Sequence, residues 1–350
     1  MTTTHLAAVC HAVGAPLKVE QRATPKPGPN EVLIEVRAIG MNIIDKIMRD
    51  MAFMTASHPA VFGFDIGGVV LSVGPGVPPS LAQAGTRVAA ISAAFTQQGR
   101  PDYGAFQERV LVPVATVAPI PDAMGFADAA TLGMATFTAY AGLEIVGVPR
   151  DARYRPADDR QGLLVWGATS SVGTLAVQLA RSMGFVVYAT ASPQHHEYVK
   201  SLGATRVFDY RDAAGVEDAV VQAARADGLT FQHAYLATGS LASCQNIVKA
   251  LKGEGTGYVA SAPAVSPDAP VVEGVEVVFV VAAQEEDKQK EQMAFYYNTW
   301  LRESLQTGTV VPSPKVRVVE GGLEAVNEAL ETLAKGVSCT KLVVELGGKQ

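Results

Sequence analysis

The sequence predicts an α/β protein of two domains: a compact β-rich unit and a doubly wound parallel sheet with helices on both faces. Three observations carry this. The chain has 350 residues, more than one hydrophobic core usually serves. Residues 1–125 break into short runs of alternating apolar and polar side chains, punctuated by Pro, Gly and Asn. From 161 to 283, short apolar runs alternate with amphipathic helical segments, the pattern of right-handed crossovers in a parallel sheet.

In the first part, 32–38 (VLIEVRA) alternates with the period of a half-buried strand, and 69–73, 87–91 and 106–112 do the same. Turns are marked by Pro27, Gly28, Pro29 and Asn30, by Gly74, Pro75 and Gly76, and by Gly85. Residues 122–142 read as one helix rich in small residues. Then 162–166 (GLLVW) is apolar throughout, as a strand buried on both faces must be. A helix at 171–183, strands at 185–190 and 206–208, and a helix at 195–202 follow. Strands at 231–237, 257–260 and 275–281 complete the series. A charged helix is expected over 285–306, with Phe295, Trp300 and Leu301 for burial, then a strand at 316–319, a helix at 322–335 and a strand at 341–346. Three elements are too few for a core of their own. They are expected to return to the first domain, giving 1–125 with 285–350 as one domain and 126–284 as an insertion, with a cleft at the junction.

Composition narrows the function. Net charge is −6 and no basic stripe runs along the chain, so nucleic acid is not an expected partner. The longest strongly apolar stretch, 275–283, is interrupted by Glu276 and is too short to span a bilayer, so no membrane partner is expected. The first residues, MTTTHL, have neither the basic nor the apolar region of a signal peptide. Cys10, Cys244 and Cys339 stand far apart in sequence, with no CxxC-type metal or redox motif. Reduced thiols and no leader lead to the expectation of a cytoplasmic protein.

The strongest local signal is the run from Gly167 to Gly173 (GATSSVG), between an apolar strand and an amphipathic helix. A helix N-terminus offers unpaired N–H groups and partial positive charge, which suit a pyrophosphate. Small side chains let the backbone approach it. The GxGxxG frame itself reads Ala168, Ser170 and Gly173, so only its last glycine is kept; an ordinary small-residue turn is the other reading of the heptad. The surrounding βαβ pattern favours a dinucleotide, with Ala168, Thr169, Ser170, Ser171 and Val172 as its contacts. NAD sites place Asp or Glu at the tip of the second strand to hold the ribose hydroxyls. Here that tip reads Thr190, Ala191, Ser192, Pro193, with no acid before Glu197. Ser192, His195 and Tyr210 can donate to a 2′-phosphate, so NADPH is the expected cofactor; His195 and the adjoining His196 also read as a solvated helix start.

With these residues in view, the chain resembles the zinc-free branch of the medium-chain dehydrogenase/reductase superfamily, which includes quinone oxidoreductases and enoyl reductases. The resemblance runs over nearly the whole chain, through 28–36 (GPNEVLIEV), Asn42 to Asp45, 62–73 (FGFDIGGVVLSV), 104–112 (GAFQERVLV), 129–141, 163–173, 201–212 (SLGATRVFDYRD) and 341–346. Within the branch, WGATSSVG, TASPQHHEYVKSLGA and VFDYR look most like fungal ToxD-like oxidoreductases and the stand-alone enoyl reductases that serve polyketide synthases. The resemblance implies a GroES-like β domain plus a Rossmann doubly wound domain, and NADPH-dependent reduction of an activated C=C bond. It implies that Thr138, Thr238, Ser261 and Lys341 join the cofactor contacts. His195 stands where many members have Lys, which makes that contact weaker or pH-dependent.

Where zinc-dependent members carry metal ligands, this chain has Asn42, then Gly63, Phe64 and Asp65, then Gly133 and Met134, so no catalytic zinc is expected. Reducing a conjugated double bond gives an enolate, which needs a hydrogen-bond donor at oxygen and a proton at carbon. Asn42, Asp45 and Lys46 are the candidates, in a loop that reaches the cleft in relatives: Asn42 for a carbonyl oxygen, Lys46 for a hydrogen bond or proton. Equally, Asn42 and Asp45 shape the turn and Lys46 is solvated. Many relatives place Tyr or Lys five residues after the Asn; here that residue is Ile47, which leaves solvent to supply the proton. Met51, Phe53, Met54 and Phe279 are either an apolar substrate wall or core. The expected substrate is a small or carrier-bound enoyl compound, on a monomer or homodimer. Two alternatives stand beside this reading: an NADPH quinone oxidoreductase, and a non-catalytic NADPH-binding or partner-binding protein.

Overall fold

A computed structural model describes residues 3–212 and 215–347. The chain divides into two compact units, one of Met1–Met134, Gln284–Gly308 and Pro312–Gln350, the other of Ala135–Ala283 with Thr309–Val311.

The first unit opens with an antiparallel pair, β1 (Thr4–Val9) and β2 (Lys18–Ala23), then β3 (Glu31–Gly40), α1 (Ile43–Met51), β4 (Asp65–Val73), β5 (Arg87–Ile91), β6 (Arg109–Pro113), β7 (Val117–Pro119) and α2 (Phe126–Ala129). Strand β3 keeps the expected alternation from Ile34 to Ala38, with Ile34, Val36 and Ala38 buried and Glu35 and Arg37 half-buried, but Leu33 beside Val32 is buried as well. Gly67 and Gly68 in β4 are required by close approach: a Cβ on Gly67 would stand 2.1 Å from the Phe126 carbonyl oxygen, and one on Gly68 2.4 Å from that of Glu35.

The second unit begins within α3 (Gly133–Ile145) and continues through α4 (Pro156–Asp159), β8 (Gln161–Trp166), α5 (Ser171–Ser182), β9 (Val186–Thr190), α6 (His196–Ser201), β10 (Arg206–Phe208), α7 (Val216–Ala226), β11 (Thr230–Leu236), α8 (Leu241–Leu251), β12 (Gly257–Ser261) and β13 (Val275–Phe279). Its six strands pair in the order β10-β9-β8-β11-β12-β13, all parallel. Counted from β8 this is 3-2-1-4-5-6, the Rossmann order, with its topological switch between β8 and β11. One face is packed by Leu164, Tyr188, Phe231, Val220, Ile247 and Val248. Gly162 lies under the Phe231 ring, where a Cβ would come within 2.4 Å.

The chain then returns through α9 (Glu286–Met293), a π-helical segment over Ala294–Leu301, α10 (Arg302–Thr307), β14 (Lys315–Val318), α11 (Val326–Ala334) and β15 (Thr340–Glu345). Val343 of β15 pairs with Gly40 of β3, so the larger sheet of the first unit runs β14-β15-β3-β4-β5-β7, with β6 also on β3.

Several expected elements are corrected. The single helix over 122–142 is two helices, broken between Ala129 and Gly133, where a Cβ on Gly133 would stand 2.5 Å from Asp65 Oδ1 and 2.8 Å from the Ala90 carbonyl oxygen. The helix over 285–306 is interrupted by the π segment, where Tyr296, Tyr297, Trp300 and Leu301 are all buried and Asn298 donates to the Val114 and Val117 carbonyls. Phe295 is only half-buried. The strand expected over 106–112 begins at Arg109. The loop expected at Asn42, Asp45 and Lys46 is instead the start of α1. That helix buries Asp45, Met48 and Arg49, so two of its three inward residues are charged, while Ile43 and Met51 of its apolar stripe are exposed.

Candidate functional site

In the α/β unit, the predicted cofactor residues other than Thr138, which lies within α3, sit at or past the carboxyl ends of the parallel strands. β8 ends at Trp166 and the chain turns at Gly167, whose φ of +78° favours glycine. A Cβ there would lie 2.6 Å from the Thr238 side chain and carbonyl oxygen. Ser170 caps α5: its Oγ accepts from Gly173 N–H at 3.0 Å and donates to the Gly167 carbonyl at 2.9 Å. A Cβ on Gly173 would stand 2.3 Å from the Gly167 oxygen, so helix and loop touch backbone to backbone. Gly167 N–H donates to Thr190 Oγ1 at 3.0 Å, and Ala168 N–H to the Thr190 carbonyl at 3.0 Å. These bonds hold the loop on β9. Ala168 is buried, while Thr169, Ser170, Ser171 and Val172 are half-buried. By position, the amides of Ser171 and Val172 have no acceptor within the helix.

At the tip of β9, Ser192 is buried and its hydroxyl lies 3.2 Å from the phenol oxygen of Tyr210, which is exposed after β10. His195 follows on the 3-10 turn that leads into α6, half-buried. His196 Nε2 lies 3.0 Å from the Ala191 carbonyl oxygen and pins that turn. Glu197 is turned to Lys200 at 2.8 Å. Asp209, beside Tyr210 in the chain, is neutralised by Arg211 at 3.1 Å, a cation that sequence reasoning missed. Thr238 follows β11, the neighbour of β8, and Ser261 ends β12 with its hydroxyl on the Pro263 carbonyl at 2.8 Å. The Thr138 carbonyl accepts from Tyr235 at 2.6 Å.

In the β unit, Asn42 is the N-cap of α1 and Asp45 its third residue. The Asp45 carboxylate reaches back to accept the Asn42 N–H at 2.7 Å, half of a capping box. Asp45 is fully buried and its other oxygen has no partner. Burial pushes its pKa well above the usual carboxylate range, and the neighbouring Asp65 charge adds to the push. The Asn42 amide donates to Asp65 Oδ2 at 3.1 Å and to the Gly40 carbonyl at 3.3 Å, and accepts from Lys341 at 2.8 Å. Lys341, the second residue of β15, also donates to Asp65 Oδ2 at 2.6 Å. The second Asp65 oxygen accepts the Met134 N–H, and Tyr297 donates to the adjoining Gly133 carbonyl at 2.7 Å. The structure thus brings Asn42, Asp45 and Lys341 together around Asp65, a residue sequence reasoning did not single out for a role. Lys46 belongs elsewhere. Its ammonium lies 2.6 Å from Asp50 and 2.9 Å from Glu331, beside Arg49. The hydrogen bond it donates to Asp50 first, then that to Glu331, raises its pKa, which makes it a weaker acid than an ordinary lysine.

Met51, Phe53, Met54 and Phe279 are all exposed, so they are not core. Among the described residues no group of three or more His, Cys, Asp and Glu gathers to hold a metal ion. The Asp65 carboxylate is already filled by an ammonium, an amide and a backbone N–H, so this donor set does not fit zinc.

Comparison with known proteins places these units. The family model of the alcohol dehydrogenase GroES-like domain matches residues 28–122, and that of the zinc-binding dehydrogenase matches residues 171–290. The chain is 42% identical over 348 residues to the trans-enoyl reductase tndF of Aspergillus flavipes, covering 99% of this chain and 100% of that protein. It is 42% identical over 289 residues to the trans-enoyl reductase tazE of Aspergillus terreus, covering 82% and 95%. Among solved structures it is similar to an alcohol dehydrogenase superfamily protein from Novosphingobium aromaticivorans (TM-score 0.77, 24% identity, 98% and 100% covered). A mycobacterial quinone oxidoreductase is similar too (TM-score 0.74, 23% identity, 98% and 100% covered). At these identities the structural likeness is one of fold.

Proposed function

The chain belongs to the medium-chain dehydrogenase/reductase family, and from that premise we propose that it is an NADPH-dependent, zinc-independent reductase of an activated carbon–carbon double bond. The observation that carries this reading is the end-to-end 42% identity to a trans-enoyl reductase.

The cofactor assignment is supported by chemistry at the strand ends. The loop from Ala168 to Val172 and the open first turn of α5 suit a pyrophosphate, and no side chain at Gly167 or Gly173 keeps the backbone from it. Ser192, His195 and Tyr210 would take the 2′-phosphate, where a carboxylate would repel it. Thr138, Thr238 and Ser261 would line the rest. The bound dinucleotide supplies a hydride.

Asn42 would donate a side-chain N–H to the carbonyl oxygen conjugated with the double bond, where negative charge grows as the hydride arrives. Asp45 holds the helix start that carries Asn42. The α-carbon then takes a proton. Lys46 is bound in ion pairs and Ile47 has no proton to give, so water supplies it.

Two measurements test the reading. NADPH and NADH are titrated by fluorescence, and loss of NADPH absorbance is followed with an enoyl thioester, a quinone and an aldehyde. Tighter NADPH binding and turnover of the thioester are expected. Equal affinity for NADH would remove the cofactor assignment. Preference for the quinone would replace the substrate class, and binding without turnover of any would leave a non-catalytic NADPH-binding protein.

A further inference from the structure

We infer that Lys341 and Asp65 form a buried positioning pair that fixes the side-chain amide of Asn42 in one orientation for the substrate oxygen, and that Lys341 is not a dinucleotide contact.

The amide of an asparagine has two nearly superimposable orientations, and its neighbours choose between them. Here the choice is forced. Lys341 has only protons to offer and lies 2.8 Å from one end of the amide, which must be the oxygen. The Asp65 carboxylate, with its other oxygen on a backbone N–H, accepts at 3.1 Å from the other end, which must be the NH2. The 2.6 Å bond between Lys341 and Asp65 locks the two selectors to each other. Turning the amide over would set donor against donor and acceptor against acceptor.

Exposure says where the pair acts. Asp65 is 0% and Lys341 2% exposed, whereas Asn42 is half-buried. Of the three, only Asn42 reaches the surface, so the pair touches a bound molecule through it. The ammonium on the amide oxygen also polarises the amide and strengthens its N–H groups as donors. Of the two N–H bonds, the one to Gly40 is the longer at 3.3 Å, and it is the one a substrate oxygen can displace. A lysine whose amine is enclosed by Asp65 and Asn42 has lost the exposure that a phosphate contact needs.

The catalytic part of this inference rests on the reductase reading; the orientation of the amide does not. Two readouts keep them apart. In side-chain amide NMR of the free protein, Asn42 is expected to show two distinct, slowly exchanging protons. In Lys341→Met their exchange should quicken about tenfold or more. In reductase assays, Lys341→Met is expected to lower kcat about 10–100-fold while NADPH affinity stays within about twofold. Asn42→Ala should lose a similar factor, and the double variant no more than Asn42→Ala alone. Should the unpaired Asp65 prevent Lys341→Met from folding, Asp65→Asn with Lys341→Met removes both charges and takes its place. Multiplying losses in the double variant, weakened NADPH binding, or unchanged kcat in a variant whose Asn42 amide exchanges fast would each overturn the proposal. If the wild type reduces no enoyl substrate, the reductase reading fails, and the NMR result alone decides the orientation.

Discussion

Replacing Gly173 with alanine is expected to weaken the α/β unit and dinucleotide binding together. A Cβ at 173 would stand 2.3 Å from the Gly167 carbonyl oxygen and 2.8 Å from Ala168 Cα. Both are backbone atoms, so neither can swing aside. Ordinary contact begins at 3.4 Å, and the first turn of α5 must therefore part from the loop by about 1 Å. Overpacking of this kind costs about 1–3 kcal/mol. Strain on the Ser170 cap, whose bond to Gly173 is 3.0 Å long, adds about 1 kcal/mol. For a unit of this size, a loss of about 2–4 kcal/mol lowers Tm by roughly 5–15 °C. The same shift takes amide–phosphate bonds beyond their working length. Losing one such charge-assisted bond weakens NADPH binding about 10–100-fold. Circular dichroism melts without cofactor and NADPH fluorescence titrations measure the two effects. A variant with Tm within about 1 °C of the parent and unchanged affinity would refute the contact between helix and loop and the phosphate seat built on it.

Three further substitutions probe other parts of the molecule. Ser192→Asp puts a carboxylate at the tip of β9. NADPH affinity should fall about 10–100-fold and NADH affinity far less, and equal losses in parallel titrations would remove the 2′-phosphate assignment. Asp45 has a folded pKa raised above its unfolded value of about 3.9. Its contribution to stability is therefore complete below about pH 3.9 and is lost as pH rises through the raised value. Asp45→Asn keeps an acceptor for the Asn42 N–H without that loss, so urea melts should show it gaining on the parent between pH 4 and pH 8; a gap that does not change with pH contradicts this. Tyr297→Phe removes one of two donors from the buried Gly133 carbonyl, which keeps its bond within the first turn of α3, and should cost about 0.5–1.5 kcal/mol in the same melts, whereas a variant as stable as the parent would mean that the phenol bond adds nothing net.

The α/β unit was legible because its determinants are local. Strand β8 is apolar on both faces, and Ser170 and Gly173 mark the helix start three residues apart. The absence of an acid at the tip of β9 can be read from six consecutive letters. The β unit was harder. β2 is exposed or half-buried along its length and carries no apolar stripe. α1 has a helical apolar period in Ile43, Ile44, Ile47, Met48 and Met51, but it buries Asp45 and Arg49 and leaves Ile43 and Met51 exposed, so hydrophobicity points away from the face that packs. Lys341, which the resemblance offers as a cofactor contact, gives no local sign of burial until Asp65, 276 positions earlier in sequence, is placed against it. Long-range pairing of opposite charges leaves no mark on either segment alone, and the network around Asn42 turns on one such pair.

The return of the chain through β15 sets an order of events during synthesis. The six parallel strands lie within one continuous stretch, 161–279, and can assemble as soon as it has left the ribosome. The 38–40 end of β3 instead lacks its neighbour until residues 343–345 are made, and Asp65 waits equally long for its counter-ion. A nascent chain stalled after α11 would hold a finished nucleotide fold beside a sheet with a bare edge and an unneutralised carboxylate, the form most exposed to aggregation and proteolysis.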